Sequence, residues 1–378
     1  MIDKIMKTML HPFYEKLAKL AINYSLNVKK GDRIFITGLA DSKDLFQALY
    51  IETLKAGAYP LLNVAIEGIQ ELRYRYSSED QLLYVDPVQM QIIKEFDGYL
   101  VIAGDYNTRK LSMVDPVKIA KLQGSPANRE MWGMLMNRIG NKELKYLLLP
   151  FPCNSLAQEA NMDLLSYFEF VEKALLLDHE DPVEEWLKVE KEQEKICNLL
   201  KNAEKIQVLG EDTDLTMLVR GRKWINECGR ENLPDGEVFT APIEDSVNGH
   251  IRFTFPGIFQ GKEIQNIYLE FKDGKIITST ADKGEDLLRQ LLKIENADVI
   301  GEFAIGTNYG ITQFTKNMLF DEKMGGTIHC ALGSGIVEAG SKNESGIHWD
   351  ILKDMRPTGS KIIADNKVIY EEGKWKTT

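Results

Sequence analysis

The sequence is poor in histidine and cysteine, and neither residue falls into a pattern that names a chemistry. Five His and four Cys are spread over 378 residues. Cys153, Cys197, Cys228 and Cys330 show no CxxC spacing. This excludes a Cys-rich zinc site and a disulfide framework, and fits a reducing compartment. There is no helical HExxH, so the chain is not a zincin, and no GxSxG nucleophile elbow. Neither GxGxxG after the first strand nor GxxxxGK[ST] is present, so no nucleotide site is assigned. No run reaches the ~18 apolar residues that span a bilayer. Met1 to Pro12 has neither a long apolar core nor a small-residue cleavage site, and the expectation is a cytoplasmic protein. A net charge of −11 argues against nucleic acid or an anionic membrane as partner.

What is present is a globular composition, 44% hydrophobic and 27% charged, long enough for two domains. The first part alternates helical and strand patterns. Residues 13–27, 42–56, 79–95 and 115–139 have helical character. Short apolar runs at 33–38, 59–65, 98–104 and 145–150 read as strands. Such alternation predicts βαβ units and an α/β N-terminal domain with a mainly parallel sheet. Residues 184–205 are rich in Glu and Lys and read as a solvated connector helix. Beyond it, β-prone runs at 206–209, 215–219, 250–255, 266–272 and 275–280, an Asp273-Gly274 hairpin signal and a helix over 281–293 predict an α+β C-terminal domain with antiparallel strands. The expected domains are 1–190, a scaffold or lid, and 191–378, which carries the metal site.

Candidate chemistry gathers between Asn232 and Asp350. Glu237 follows Pro234-Asp235-Gly236, past a tight turn at the start of a strand; it is either fixed by the backbone or a surface Glu on a strand edge. Glu302 interrupts an apolar run, where a charge is costly to bury unless paired or metal-bound; the alternative is the wet face of a strand. His329 is flanked by small residues and is either a ligand or a satisfied core histidine. In His348-Trp349-Asp350 the first and third side chains point to one face of a strand and can converge on one ion. A second His lies 19 residues earlier. Cys330 beside His329 would point to the opposite face, which argues against a dyad. Three carboxylates and two imidazoles exceed the three protein ligands of a catalytic zinc. The surplus suggests two metals sharing a carboxylate.

Asn232 to Pro242, Gly301-Glu302, Asp321 to Gly333 and Gly346 to Asp350, within about 207–356, resemble the motifs of the thermophilic metallo-aminopeptidases, the group of aminopeptidase T, aminopeptidase S and PepS. The resemblance implies a homodimeric cytosolic exopeptidase acting on short peptides, with two divalent metal ions (zinc, cobalt or manganese). It places the ligands on Glu237, Glu302, His329, His348 and Asp350, with Glu302 as bridge and as a catalytic residue. Glu322, in the Asp-Glu-Lys run, becomes a further ligand or a proton carrier, a role Glu338 could also take. The family's Tyr seven residues after the first ligand His is replaced by Ile336, and Tyr309 is the substitute considered for its hydroxyl. The alternative is a mononuclear Fe(II) ring-cleaving dioxygenase using His329, His348 and Asp350.

Overall fold

A computed structural model describes residues 11–376. The chain divides into two compact units: residues up to Glu184 together with Gly229–Leu233, and Glu185–Cys228 together with the chain from Pro234 onward.

The first unit opens with α1 (Pro12–Lys19), which continues as a π-helical turn over Leu20–Ser25. Pro12 sits where its missing N–H is harmless, and the His11 ring accepts from the Phe13 amide. Strands β1 (Arg33–Leu39), β2 (Tyr59–Ala65), β3 (Gly98–Ala103) and β4 (Lys145–Pro150) pair in parallel in the order β2-β1-β3-β4. Ile34, Ile36, Leu100 and Ile102 bury the two central strands, as expected of a sheet covered by helices. Helix α2 (Lys43–Lys55) links β1 to β2. The stretch 79–95, expected as one helix, follows α3 (Ile69–Tyr76) as α4 (Glu79–Leu83) and α5 (Pro87–Glu95). Pro87 breaks it, and Asp86 caps the new start by accepting from the Val88 amide. Likewise 115–139 is α6 (Pro116–Gly124) and α7 (Pro126–Gly140), divided at Ser125-Pro126. Two helices follow β4, α8 (Asn154–Glu159) and α9 (Leu164–Ala174). Gly229–Leu233 returns to this unit: the Leu148 amide donates to the Glu231 carbonyl, and the Leu233 amide to that of Leu148.

Helix α10 (Pro182–Leu200) carries the Glu/Lys-rich segment. Its surface pairs exist, with Lys188–Glu185 at 2.7 Å and Lys195–Glu192 at 2.5 Å. However, Trp186, Gln193, Cys197 and Leu200 form a buried stripe at helical spacing, so only part of the helix is solvated.

The strands of the second unit are β5 (Lys205–Gly210), β6 (Thr213–Leu218), β7 (Ile225–Glu227), β8 (Glu237–Thr240), β9 (Asn248–Arg252), β10 (Gly257–Phe259), β11 (Lys262–Ile264), β12 (Tyr268–Lys272), β13 (Lys275–Thr280), β14 (Ile300–Gly306), β15 (Thr327–Gly333), β16 (His348–Asp354), β17 (Lys361–Ala364), β18 (Lys367–Glu371) and β19 (Lys374–Trp375). One antiparallel sheet runs β13-β12-β9-β6-β5-β17-β18-β19, and a second runs β16-β15-β14-β8-β7. Asp273 and Gly274, at φ 48° and 81°, make the turn between β12 and β13, a conformation that an Asp-Gly pair favours. The helix expected over 281–293 is the shorter α11 (Glu285–Leu291).

One core lies between the two sheets. The first contributes Val208, Met217, Ile251, Leu269 and Ile362, and the second Val238, Phe303, Ile305, Ile328, Cys330, Leu332, Trp349 and Ile351. On β15 and β16 every second residue enters that core, and the alternate positions point to the other face.

Candidate metal centre

The five-stranded sheet turns Glu237 (β8), Glu302 (β14), His329 (β15), and His348 and Asp350 (β16) to the face away from the core. Alternation suffices for β15, where Ile328, Cys330 and Leu332 are core, and for β16, where Trp349 and Ile351 are core. It does not suffice for β14. Ile300, Phe303 and Ile305 are all core, so the phase changes between 300 and 303. The cause is a bulge: Ile300 pairs with Leu332 and Glu302 with the next residue, Ala331, leaving Gly301 as the extra residue. A Cβ on Gly301 would lie 2.4 Å from the Gly333 carbonyl oxygen, so only glycine permits this bulge and hence the orientation of Glu302.

His329 Nε2 lies 3.3 Å from Glu237 Oε2, 3.3 Å from Glu302 Oε1 and 3.8 Å from Asp350 Oδ1. His348 Nε2 lies 3.4 Å from Asp350 Oδ1 and 3.9 Å from Glu302 Oε2. Two sets of potential ligands result, Glu237–Glu302–His329 and Glu302–His348–Asp350, each with its donor atoms within 4.8 Å of one another. Glu302 belongs to both. All are buried except His348, whose side chain is 33% exposed.

Both imidazoles are oriented from behind. His329 Nδ1 lies 3.1 Å from the Glu322 carbonyl, and His348 Nδ1 2.7 Å from that of Ser334. A carbonyl only accepts, so each Nδ1 carries a proton and is turned away from the cluster, and each Nε2 faces the carboxylates as the nitrogen that would ligate a metal on giving up its own proton, the usual orientation of a metal-ligating histidine.

The electrostatics ask for added positive charge. Burial lowers the basicity of His329, but Glu237, Glu302 and Asp350 outweigh it and push the imidazole up to about 9. For His348 burial is likewise overcome, chiefly by Asp350, and the ring rises to about 10. Burial raises the Glu302 carboxyl, with Glu237 and Asp350 adding to the shift against His329. Asp350 is held down at about 2: its imidazole neighbours, His348 first, overcome the burial that would raise it. Glu237 Oε2 and Asp350 Oδ1 are buried and make no hydrogen bond, although each lies within ion-pair distance of an imidazole. Unsatisfied carboxylate oxygens beside two outward-facing Nε2 atoms fit a divalent cation.

Lys323 and Glu322 adjoin the cluster. Lys323 Nζ donates to Glu237 Oε1 at 2.7 Å, contacts Glu322 Oε1 and lies 3.9 Å from Asp235 Oδ1. Burial pushes the Glu322 carboxyl up to about 8; Lys323 opposes the shift, and Glu237 and Asp350 add to it. Gln193 of α10 donates from Nε2 to the Glu237 carbonyl at 2.7 Å and fixes the start of β8. Neither Lys323 nor Gln193 stood out in the sequence; for Gln193 the signal was its place in the Trp186/Cys197/Leu200 stripe. Tyr309 is committed elsewhere, since its hydroxyl donates to the Gly373 carbonyl at 2.9 Å. Ile336 lies partly exposed in the loop after β15. Glu338 is a surface residue paired with Lys223 at 2.5 Å.

An antiparallel sheet presenting clustered carboxylates and imidazoles makes a site that can hold metal ions. The chain matches the thermophilic metalloprotease family, M29, over residues 11–375 and belongs to it. The likeness therefore extends well beyond the motif-bearing 207–356. Aminopeptidase AmpS of Bacillus subtilis is 26% identical, covering 96% of this chain and 99% of its own. Aminopeptidase T of Thermus thermophilus is 28% identical over 96% and 98% of the two chains. The solved AmpT of Thermus thermophilus shares the fold, with TM-score 0.83 at 22% identity over 97% and 99% of the chains. A 2,5-dihydroxypyridine dioxygenase from Pseudomonas putida KT2440 shares it more distantly, with TM-score 0.54 at 14% identity over 97% and 96%.

Proposed function

We propose that this chain is an aminopeptidase that removes N-terminal residues from short peptides in the cytoplasm, with two divalent ions held by Glu237, Glu302, His329, His348 and Asp350. The reading rests above all on the two ligand sets that share Glu302. The names of its relatives supply the reaction. Bound ions would polarise the scissile carbonyl and acidify water. Glu302 offers Oε1 towards His329 and Oε2 towards His348, the disposition of a bridging carboxylate. Glu322, pushed up to about 8, can hold a proton at neutral pH, give it to the leaving amine and be reprotonated by the attacking water. Its Oε1 is held by Lys323, which leaves Oε2 for the proton. The second unit is then catalytic and the first a scaffold.

The chain purified with zinc, cobalt or manganese should hold about two ions and hydrolyse leucine p-nitroanilide. One iron per chain, with oxygen consumption and no hydrolysis, would replace this reading by the dioxygenase.

The first unit also supports a homodimer. Tyr50 and Leu54 of α2, with Tyr59, Leu61, Leu62 and Val64 of the edge strand β2, are 36–67% exposed. No charged residue lies on β2. An uncharged apolar edge strand is a surface that soluble proteins ordinarily cover. Sedimentation equilibrium should give twice the chain mass; a monomer at micromolar concentration would remove the dimer.

A further inference from the structure

We infer that the crevice at the carboxyl ends of the first unit's parallel strands is a second binding site, one that takes a small organic ammonium ion with an apolar body. The sheet order places it. From β1 the chain moves outward to β2 and then returns to β3 on the other side of β1. The loops leaving β1 and β3 part at that switch point, where open α/β sheets hold their ligands. A cavity of about 360 Å³ lies there, the size of a small-molecule site. None of the residues proposed to hold metal lines it.

The lining selects the ligand. Phe151, Phe168 and Leu164 form an apolar wall, while Asp41 and Asp105 bring carboxylates and Tyr14 a hydroxyl. Among the described residues, no lysine or arginine lines the cavity. Lys110 reaches Asp105 Oδ2 at 2.5 Å and balances one acid. Asp41 remains, with a second carboxyl, that of Glu67, nearby. An anion is therefore repelled even though α2 begins here without a side-chain cap from Ser42. Tyr14 is only 9% exposed and lines the cavity. Its phenol oxygen adds a hydrogen-bond acceptor to those of the two carboxylates. Aromatic faces beside carboxylates favour a monocation over a neutral molecule of the same shape.

Calorimetric titration of the zinc-loaded full chain with phenethylammonium, 2-phenylethanol and phenylacetate tests this. The ammonium should bind at least about fivefold more tightly than either of the others. Asp41→Asn and Tyr14→Phe should each weaken it severalfold, whereas Glu302→Gln should leave it unchanged. Asp41 is exposed, so its variant leaves the fold intact. Equal binding of the alcohol, or no heat with about 10 mM ammonium, overturns the proposal. So does binding lost in Glu302→Gln and kept in the other two variants, which would put the amine at the metal centre.

Discussion

Glu302→Gln is expected to lower leucine p-nitroanilide hydrolysis by more than about 100-fold and to reduce bound metal from two ions to at most one. Glu302 is the residue common to both ligand sets, with Oε1 3.3 Å from His329 Nε2 and Oε2 3.9 Å from His348 Nε2. Glutamine keeps the shape but replaces one donor oxygen with an amide nitrogen that does not ligate. In the metal-free chain the same change should have the opposite sign. Burial, with Glu237 and Asp350, raises the Glu302 carboxyl above its ordinary 4.5. An acid whose pKa is raised by folding destabilises the native state once pH exceeds its unfolded value, because the unfolded chain releases the proton more readily. Chelator-treated Glu302→Gln should therefore melt above the parent at pH 7, with the difference closing towards pH 4. Retained hydrolysis would remove Glu302 from the reaction.

The His348-Trp349-Asp350 pair was legible in the sequence because it depends only on the two-residue period of a strand. The same period set Cys330 apart from His329. Glu302 was legible as an anomaly but not as an orientation: a regular strand would have pointed it into the core with Ile300. The bulge at Gly301 reverses it, and that bulge depends on the approach of the Gly333 carbonyl from β15, a contact between distant parts of the chain. Pro87 and Pro126 mark helix breaks that the apolar periodicity of 79–95 and 115–139 conceals. Lys323 was invisible for a different reason. In a run of Asp321-Glu322-Lys323 it looks like ordinary surface charge, and only the fold shows it 2% exposed against Glu237. Position 336 shows a limit of another kind: a missing hydroxyl can be read from the sequence, but not that Tyr309 is already bonded to Gly373.

Lys323→Met should destabilise the metal-free chain by about 3–5 kcal/mol, because it removes a buried side-chain cation that lies within ion-pair distance of Glu237, Glu322 and Asp235 together. Methionine nearly fills the volume, so the loss is of charge rather than packing. Burial disfavours the ammonium, but those three carboxylates outweigh it and raise Lys323 well above its ordinary 10.5. A base raised by folding contributes its full stabilisation below the unfolded value, so the deficit should be present throughout the neutral range. Divalent ions should shrink it. Held as proposed, they would bind the native chain beside Glu237 Oε2, which has no hydrogen-bond partner, and would supply positive charge where the lysine is gone. Ligand at about 1,000 times its Kd adds roughly 4 kcal/mol to the native state, and the variant's carboxylates, freed from the ammonium, should gain at least as much as the parent's. Urea denaturation in chelator and in saturating zinc measures both gaps. If they are equal, Lys323 acts by packing alone and the cluster does not exchange one kind of cation for another.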